Sequence, residues 1–264
     1  MKKKNAGNTG SVWHGVVALV LVFSAGLLPA AELDVIKLNP PDLKRGLPFM
    51  ETLAVRASAR EYAEKDLSLR DLSDLLWAAD GINRPAENKS TAPSAMNAHD
   101  VQIFVFMNDG VFWYDPPRHQ LVPLLAGDFR SQIMMARPPR PAPAAAPAPA
   151  APPSPGGSSA TAAPPASSVG ATAPPPPPPP PSNPPVQIIL ISDGERFRHG
   201  TPEQKFAWGV LDAGIVSQNI SLFCAATGLK TVPKASMDKA RIRELLKLTD
   251  AQIVFLNHPV GYAK

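Results

Sequence analysis

An α+β domain is the fold that this sequence predicts, and three observations carry the prediction. A largely apolar run, Val186–Ser192, has the length and β-branched content of a buried strand. A second apolar run, Val101–Met107, is followed by Asn108-Asp109-Gly110 and then Val111–Tyr114, which reads as a hairpin. Helical spacing then appears in separate places, around residues 68–81, 202–228 and 238–248, without a regular strand–helix–strand alternation.

Each helix has its own signals. Ser68 with Asp71 three residues on makes an N-terminus, Leu72, Leu75, Leu76 and Ala79 share one face, and Gly81 stops the helix. Pro202 suits the first turn of a long helix that ends at Gly228. Asp238 opens the third, and Ile253–Asn257 reads as a last strand. Along the long helix Ala213, Ser217, Ser221 and Ala225 recur every fourth residue. A stripe of small side chains lets helix backbones approach closely, either inside the domain or between two subunits.

Composition divides the chain further. Of its 264 residues, 33 are proline, and 21 of those fall in the 48 positions 138–185 together with 13 alanines and one charged residue, Arg140. Such a segment cannot bury enough apolar surface to offset the entropy of ordering. It reads as an insertion, residues 138–185, between the two parts of one domain, 32–137 and 186–264. Pro174–Pro181 within it would be polyproline II.

Residues 1–31 read as an export signal: Lys2–Lys4, an apolar run of 13 residues from Val16 to Leu28, then Pro29-Ala30-Ala31. Either the signal is cleaved, placing the domain in the periplasm or outside the cell, or it stays as an N-terminal anchor and membrane association follows. With the three signal lysines removed, 23 basic residues face 22 acidic ones. The basic balance therefore reports targeting. With no other Lys/Arg run, nucleic acid is excluded as a partner. The single cysteine, Cys224, lies in an apolar stretch and reads as a buried, inert thiol. His99, His119, His199 and His258 are scattered without metal-ligand spacing and read as surface or capping residues.

Three places carry chemistry. In Arg56-Ala57-Ser58-Ala59-Arg60, basic and hydroxyl side chains alternate, so an extended backbone turns them to one side, as an anion such as phosphate requires. Thr91-Ala92-Pro93-Ser94-Ala95-Met96-Asn97 is a turn of small residues ending in an amide that both donates and accepts, which suits the edge of a heterocycle. Thr227-Gly228-Leu229-Lys230-Thr231, with Lys234-Ala235-Ser236 after it, lets backbone come close to a ligand.

With these residues in hand, the sequence resembles the nitroreductase family of flavin enzymes. More narrowly it is similar to the branch that includes the azoline (thiazole- and oxazole-forming) dehydrogenases. The resemblance runs from about Glu51 to Lys264. Besides the segments above it rests on Leu75-Leu76-Trp77-Ala78-Ala79-x-Gly81-Ile82-Asn83-Arg84, Asp109-Gly110-Val111, Gly127-Asp128-x-Arg130, Gly214-x-x-x-Gln218-Asn219 and Pro259-Val260-Gly261-Tyr262.

The resemblance implies a nitroreductase-like fold with a central mixed or antiparallel sheet flanked by helices. It implies an intertwined homodimer that binds FMN at the subunit interface and works by ping-pong hydride transfer on a small-molecule substrate. By position, Arg56, Ser58 and Arg60 match the segment that holds the FMN phosphate, ribityl chain and pyrimidine edge. Asn97 matches the amide at the flavin ring, with Pro93, Ser94 and Ala95 shaping its wall. Ala235 and Ser236 match the stretch near the reactive flavin nitrogen, and Lys264 lies near a second phosphate-binding basic position. Many relatives have an acidic residue and a glycine at 235 and 236, so here the hydrogen bond must come from backbone. The family's Gly-Leu-Gly-Thr is Gly228-Leu229-Lys230-Thr231. In such enzymes the cofactor does the chemistry and the protein orients it, so no side chain is singled out as catalytic. Export separates the enzyme from cytoplasmic nicotinamides and favours a quinol or a partner reductase as electron donor. The rival reading is an exported binding protein that keeps the fold and uses its proline tract for interaction.

Overall fold

The computed structural model describes residues 33–135 and 184–264. The expected export signal, and all but the last two residues of the expected insertion, lie outside the described residues. The described chain builds β1 (Ile36–Lys37), α1 (Phe49–Val55), α2 (Leu69–Asp80), β2 (Ile82–Arg84), β3 (Lys89–Ser90), β4 (Val101–Phe106), β5 (Gly110–Asp115), β6 (Gln120–Ala126), β7 (Val186–Asp193), α3 (Pro202–Thr227), β8 (Lys230–Thr231), α4 (Lys239–Leu246) and β9 (Gln252–Gly261). Seven strands form one sheet in the order β1-β6-β5-β4-β7-β9-β8, and β2 pairs with β3 apart from it. Every pairing among the described strands is antiparallel, which settles the expectation of a mixed or antiparallel sheet in favour of the second.

The sheet is covered on both faces. On one side Leu72, Leu75, Leu76 and Ala79 of α2 and Ala213, Val216, Ile220 and Cys224 of α3 pack on Ile103, Val105, Ile188 and Leu190. On the other, Ile242 of α4, Met237 and Ile133 meet Phe104, Phe106, Ile189 and Ile191. The alternation of β4 and β7 thus serves two cores, which explains why Ile188–Ile191 is apolar at every position. The expected ends also hold: the Ser68 hydroxyl accepts the Asp71 N–H at 3.1 Å, Thr201 and Gln204 close a capping box, and Gly228 takes the left-handed conformation at φ 79°.

The small stripe on α3 faces inward. Ala213, Ser217 and Ser221 are buried against the protein's own sheet, with Ser217 bonded to His258 of β9 at 2.8 Å. Of the two readings the sequence allows, these residues take the intramolecular one. The opposite face of α3 is the exposed one, and Leu211 and Ile215 make it apolar as well. By length and composition α3 could cross a membrane. Here the sheet covers one of its faces.

Several elements escape the sequence. β6 contains Pro123, which argues against a strand. The ladder accommodates it with a bulge: Val111 pairs with Leu125 and Phe112 with Pro123, leaving Leu124 unpaired. β9 continues past Asn257 to Gly261 because β7 gives it a partner along that whole length. The segments before and after the proline tract meet at Arg130, which pairs with Asp128 at 2.7 Å and donates to the Pro185 carbonyl at 2.9 Å.

Helix α3 approaches β7 closely at Gly209, where an added Cβ would fall 2.3 Å from the Ser192 hydroxyl oxygen and 2.9 Å from its Cβ. Gly209→Ala therefore forces α3 off the sheet. A loss of about 1–3 kcal/mol in denaturant unfolding is expected with an unchanged m-value; a neutral substitution would show the contact to be slack.

Candidate functional site

The Arg56–Arg60 segment leaves the end of α1 in extended conformation and runs beside β8, the Ala59 N–H donating to the Thr231 carbonyl at 2.9 Å. The buried Tyr62 hydroxyl donates to the Ala59 carbonyl at 2.8 Å and fixes the segment from below. Ala57 and Ala59 line a cleft of about 490 Å³ against Ser221, Cys224 and Leu229, while Arg56, Ser58 and Arg60 are exposed. This is the alternation expected from the sequence. Burial pushes the Cys224 thiol well above its ordinary range, which agrees with an inert structural role.

The donor set suits an anion. Among the described residues neither Arg56 nor Arg60 has an ion-pair partner. Half-buried Lys234 is nearby, its proton affinity lowered by burial and then by the charge of Arg60. Two cations held in mutual repulsion without a carboxylate are what a phosphate dianion would relieve. Lys234 exchanges two backbone hydrogen bonds with Asn257, at 2.9 and 2.8 Å, which carries the exposed Ala235 and Ser236 beyond the sheet. Lys264 ends the chain, exposed and beyond the last strand.

The expectation that His258 is a surface or capping residue is corrected by the structure. It is fully buried, with Ser217 Oγ at 2.8 Å from one ring nitrogen and Thr231 Oγ1 at 3.2 Å from the other. Burial lowers its pKa to about 3, so the ring is neutral and joins α3 to the strand that holds Ala59. A lone histidine between Asn257 and Pro259 gives no sign of this in the sequence.

The second group lies elsewhere. Pro93, Ser94, Ala95 and Asn97 form a tight turn in which the Asn97 N–H donates to the Ser94 carbonyl at 3.0 Å and Asn97 itself has φ 55°. The turn is tied to the middle of α3, the Ala95 N–H donating to Asp212 Oδ2 at 2.8 Å. Asn97 is exposed and its side chain makes no hydrogen bond to another described residue. Asp212 and Cys224 are separated by twelve residues of helix, about 18 Å. One protomer thus brings Arg56, Ser58 and Arg60 together, and Pro93, Ser94, Ala95 and Asn97 together, but does not join the two groups.

Beneath the turn lies a buried carboxylate cluster, Asp80, Asp100 and Asp212, that sequence reasoning missed because its members are far apart in the chain. Asp100 Oδ2 accepts the Ser192 hydroxyl at 2.5 Å, while Oδ1 has no donor. Burial, together with a hydrogen bond to Asp212, raises the Asp100 pKa well above the carboxylate range. The folded state therefore binds this proton more tightly than the unfolded chain. Its stabilisation is complete below the ordinary carboxylate pKa and is lost as pH rises toward the folded value. Asp100→Asn should flatten the decline in stability between about pH 4 and 7 by on the order of 1–3 kcal/mol. Denaturant melts across that range test it, and an unchanged slope would refute it.

Comparison with known proteins adds the following. The model of the Nitroreductase family matches residues 53–262. A Methanocaldococcus jannaschii protein assigned as a nitroreductase is 25% identical over 234 residues, covering 86% of this chain and 97% of that protein. A Ralstonia eutropha crystal structure, also assigned as a nitroreductase, superposes with a TM-score of 0.65 at 25% identity and covers 87% of this chain and 90% of that one. The Escherichia coli microcin synthetase McbBCD complex, with truncated pro-MccB17 bound, shares the fold at a TM-score of 0.55 and 13% identity, covering 96% of this chain and 85% of that one.

Proposed function

This chain belongs to the nitroreductase family, a family of flavin-dependent oxidoreductases, and on that premise we propose that it is an exported FMN-dependent enzyme. The observation that carries the proposal is the unpaired cluster of Arg56 and Arg60 with Lys234 beside it, a donor set that fits the FMN phosphate. Bound FMN would supply the hydride and electron chemistry. The protein's share is to bind and orient. Arg56 and Arg60 neutralise the phosphate, Ser58 offers a hydroxyl to the ribityl chain, and the backbone of Ala235 and Ser236 offers N–H groups to the ring. Asn97, with Pro93, Ser94 and Ala95 as its wall, meets the other side of the ring.

Because those two groups stand apart on one protomer, the reading requires a homodimer in which each copy completes the other's site. The exposed apolar face of α3 supports it, as do Phe49, Met50 and Leu53 of α1, also exposed. A helix apolar on all sides is ordinarily covered on all sides. At Gly214, on that outer face, an added Cβ would meet nothing within 4 Å, so the domain itself gives no reason for a residue that costs a helix about 1 kcal/mol. A partner helix crossing there supplies the reason. The substrate is a small organic molecule, and the donor a quinol or a partner reductase. The export signal read in residues 1–31 supports a periplasmic location.

Three outcomes follow. The purified protein should be yellow and bleach with dithionite. Arg56→Ala should stay folded but lose about ten- to hundredfold in FMN affinity; full flavin occupancy in that variant would remove the assignment. Leu211→Glu, on the outer face of α3, should yield a folded monomer by sedimentation and release flavin with it. A wild-type monomer that holds FMN tightly would defeat the dimer.

A further inference from the structure

A second cavity, of about 390 Å³, lies where α2 ends, between the turn of Asn97–His99 and the ends of β4 and β5. Its volume is in the range of small-ligand sites, about 300–1,000 Å³. Trp113, Val101 and Ile103 give it apolar walls, and Asp80 and Asp115 are its acidic lining. These two carboxylates differ in how they are satisfied. Asp115 accepts from Arg118 and from Gln120, each at 3.1 Å. Asp80 is 6% exposed and has no ion pair among the described residues. Its one neighbouring donor is the Ser90 hydroxyl, which also reaches the Ala92 carbonyl at 2.8 Å and has a single proton to give.

Behind Asp80 stand Asp100 and Asp212, which add negative charge. The cation in this region, Arg196, is exposed, donates to the His99 carbonyl at 3.0 Å and lies 3.8 Å from Asp193. Buried carboxylates are ordinarily paired or bound to metal. No group of three His, Cys, Asp or Glu among the described residues could hold a metal ion. The apolar walls around Asp80 suit a counter-charge carried on an apolar body.

We propose that this cavity binds a small organic cation, a primary ammonium or guanidinium group on a compact apolar body, with Asp80 as its counter-ion and Trp113 beside the apolar part. Aromatic and carboxylate groups together recognise such cations by charge and by the ring face. Burial, with Asp100 and Asp212, pushes the Asp80 carboxyl up to about 7, so a cation arriving near neutral pH draws a proton off it. The site does not depend on the flavin assignment, although Asn97 forms part of its rim.

Benzylammonium and its neutral counterpart benzyl alcohol, titrated calorimetrically into the full-length protein at pH 8, test the proposal. The ammonium should bind at least about tenfold more tightly than the alcohol. Asp80→Asn should erase that preference, and Arg196→Gln should strengthen it, since the one opposing charge is gone. The opposite signs of the two variants separate recognition from a general loss of structure. Equal binding of both compounds by the parent protein, no binding of either at about 10 mM, or a preference untouched in Asp80→Asn would each overturn it. Should Asp80→Asn fail to fold, the parent comparison and the Arg196→Gln variant still decide.

Discussion

Helix α3 is apolar on both faces, and most of the architecture answers that fact. One face needs a sheet, and it finds β7 and β9, whose central residues are themselves buried on both sides. The contact is tight enough at Gly209 to leave no space for a methyl group. Along the same face the small residues Ala213, Ser217 and Ser221 bring the helix close, and Ser217 turns that closeness into a hydrogen bond with His258. From His258 the chain of contacts goes to Thr231 and then to Ala59. The position of the arginine segment on the surface is thus set by packing in the centre of the domain.

Two places along α3 organise the two candidate binding groups. Near its C-terminus the helix borders the cleft lined by Ala57 and Ala59; at its middle Asp212 holds the turn that presents Asn97. Distance along a rigid rod keeps them apart, and no loop motion is needed to explain why they do not meet within one protomer. The buried acids beneath the Asn97 turn have a double effect. Asp212 satisfies a backbone N–H of the turn, and burial beside it drives Asp100 to hold its proton.

Much of this was legible in the sequence, and the reasons are local. Helices α2 and α3 announced themselves through Ser68, Pro202, Gly81 and Gly228, because caps act within one turn. The hairpin from Val101 to Tyr114 was marked by its Asn-Asp-Gly turn. Motif and alternation drew attention to Arg56, Ser58 and Arg60, and all three are exposed on their extended segment. What escaped was non-local. Pro123 hid β6, since only the pairing shows the bulge at Leu124. The direction of the small stripe was undetermined because both faces of α3 are apolar. Asp80, Asp100 and Asp212 have no common spacing, and only the fold collects them.

The two ends of the main sheet carry a further consequence. One is closed by β1 and the other by β8, each two residues long. Next to β1, strand β6 offers Pro123, which has no N–H, and a bulge that bends the strand beside it. The β6 margin therefore presents no straight row of free amides and carbonyls on which the strand of another molecule could be templated. Growth of the sheet from copy to copy, the route by which antiparallel proteins polymerise into fibres, is hindered at that margin.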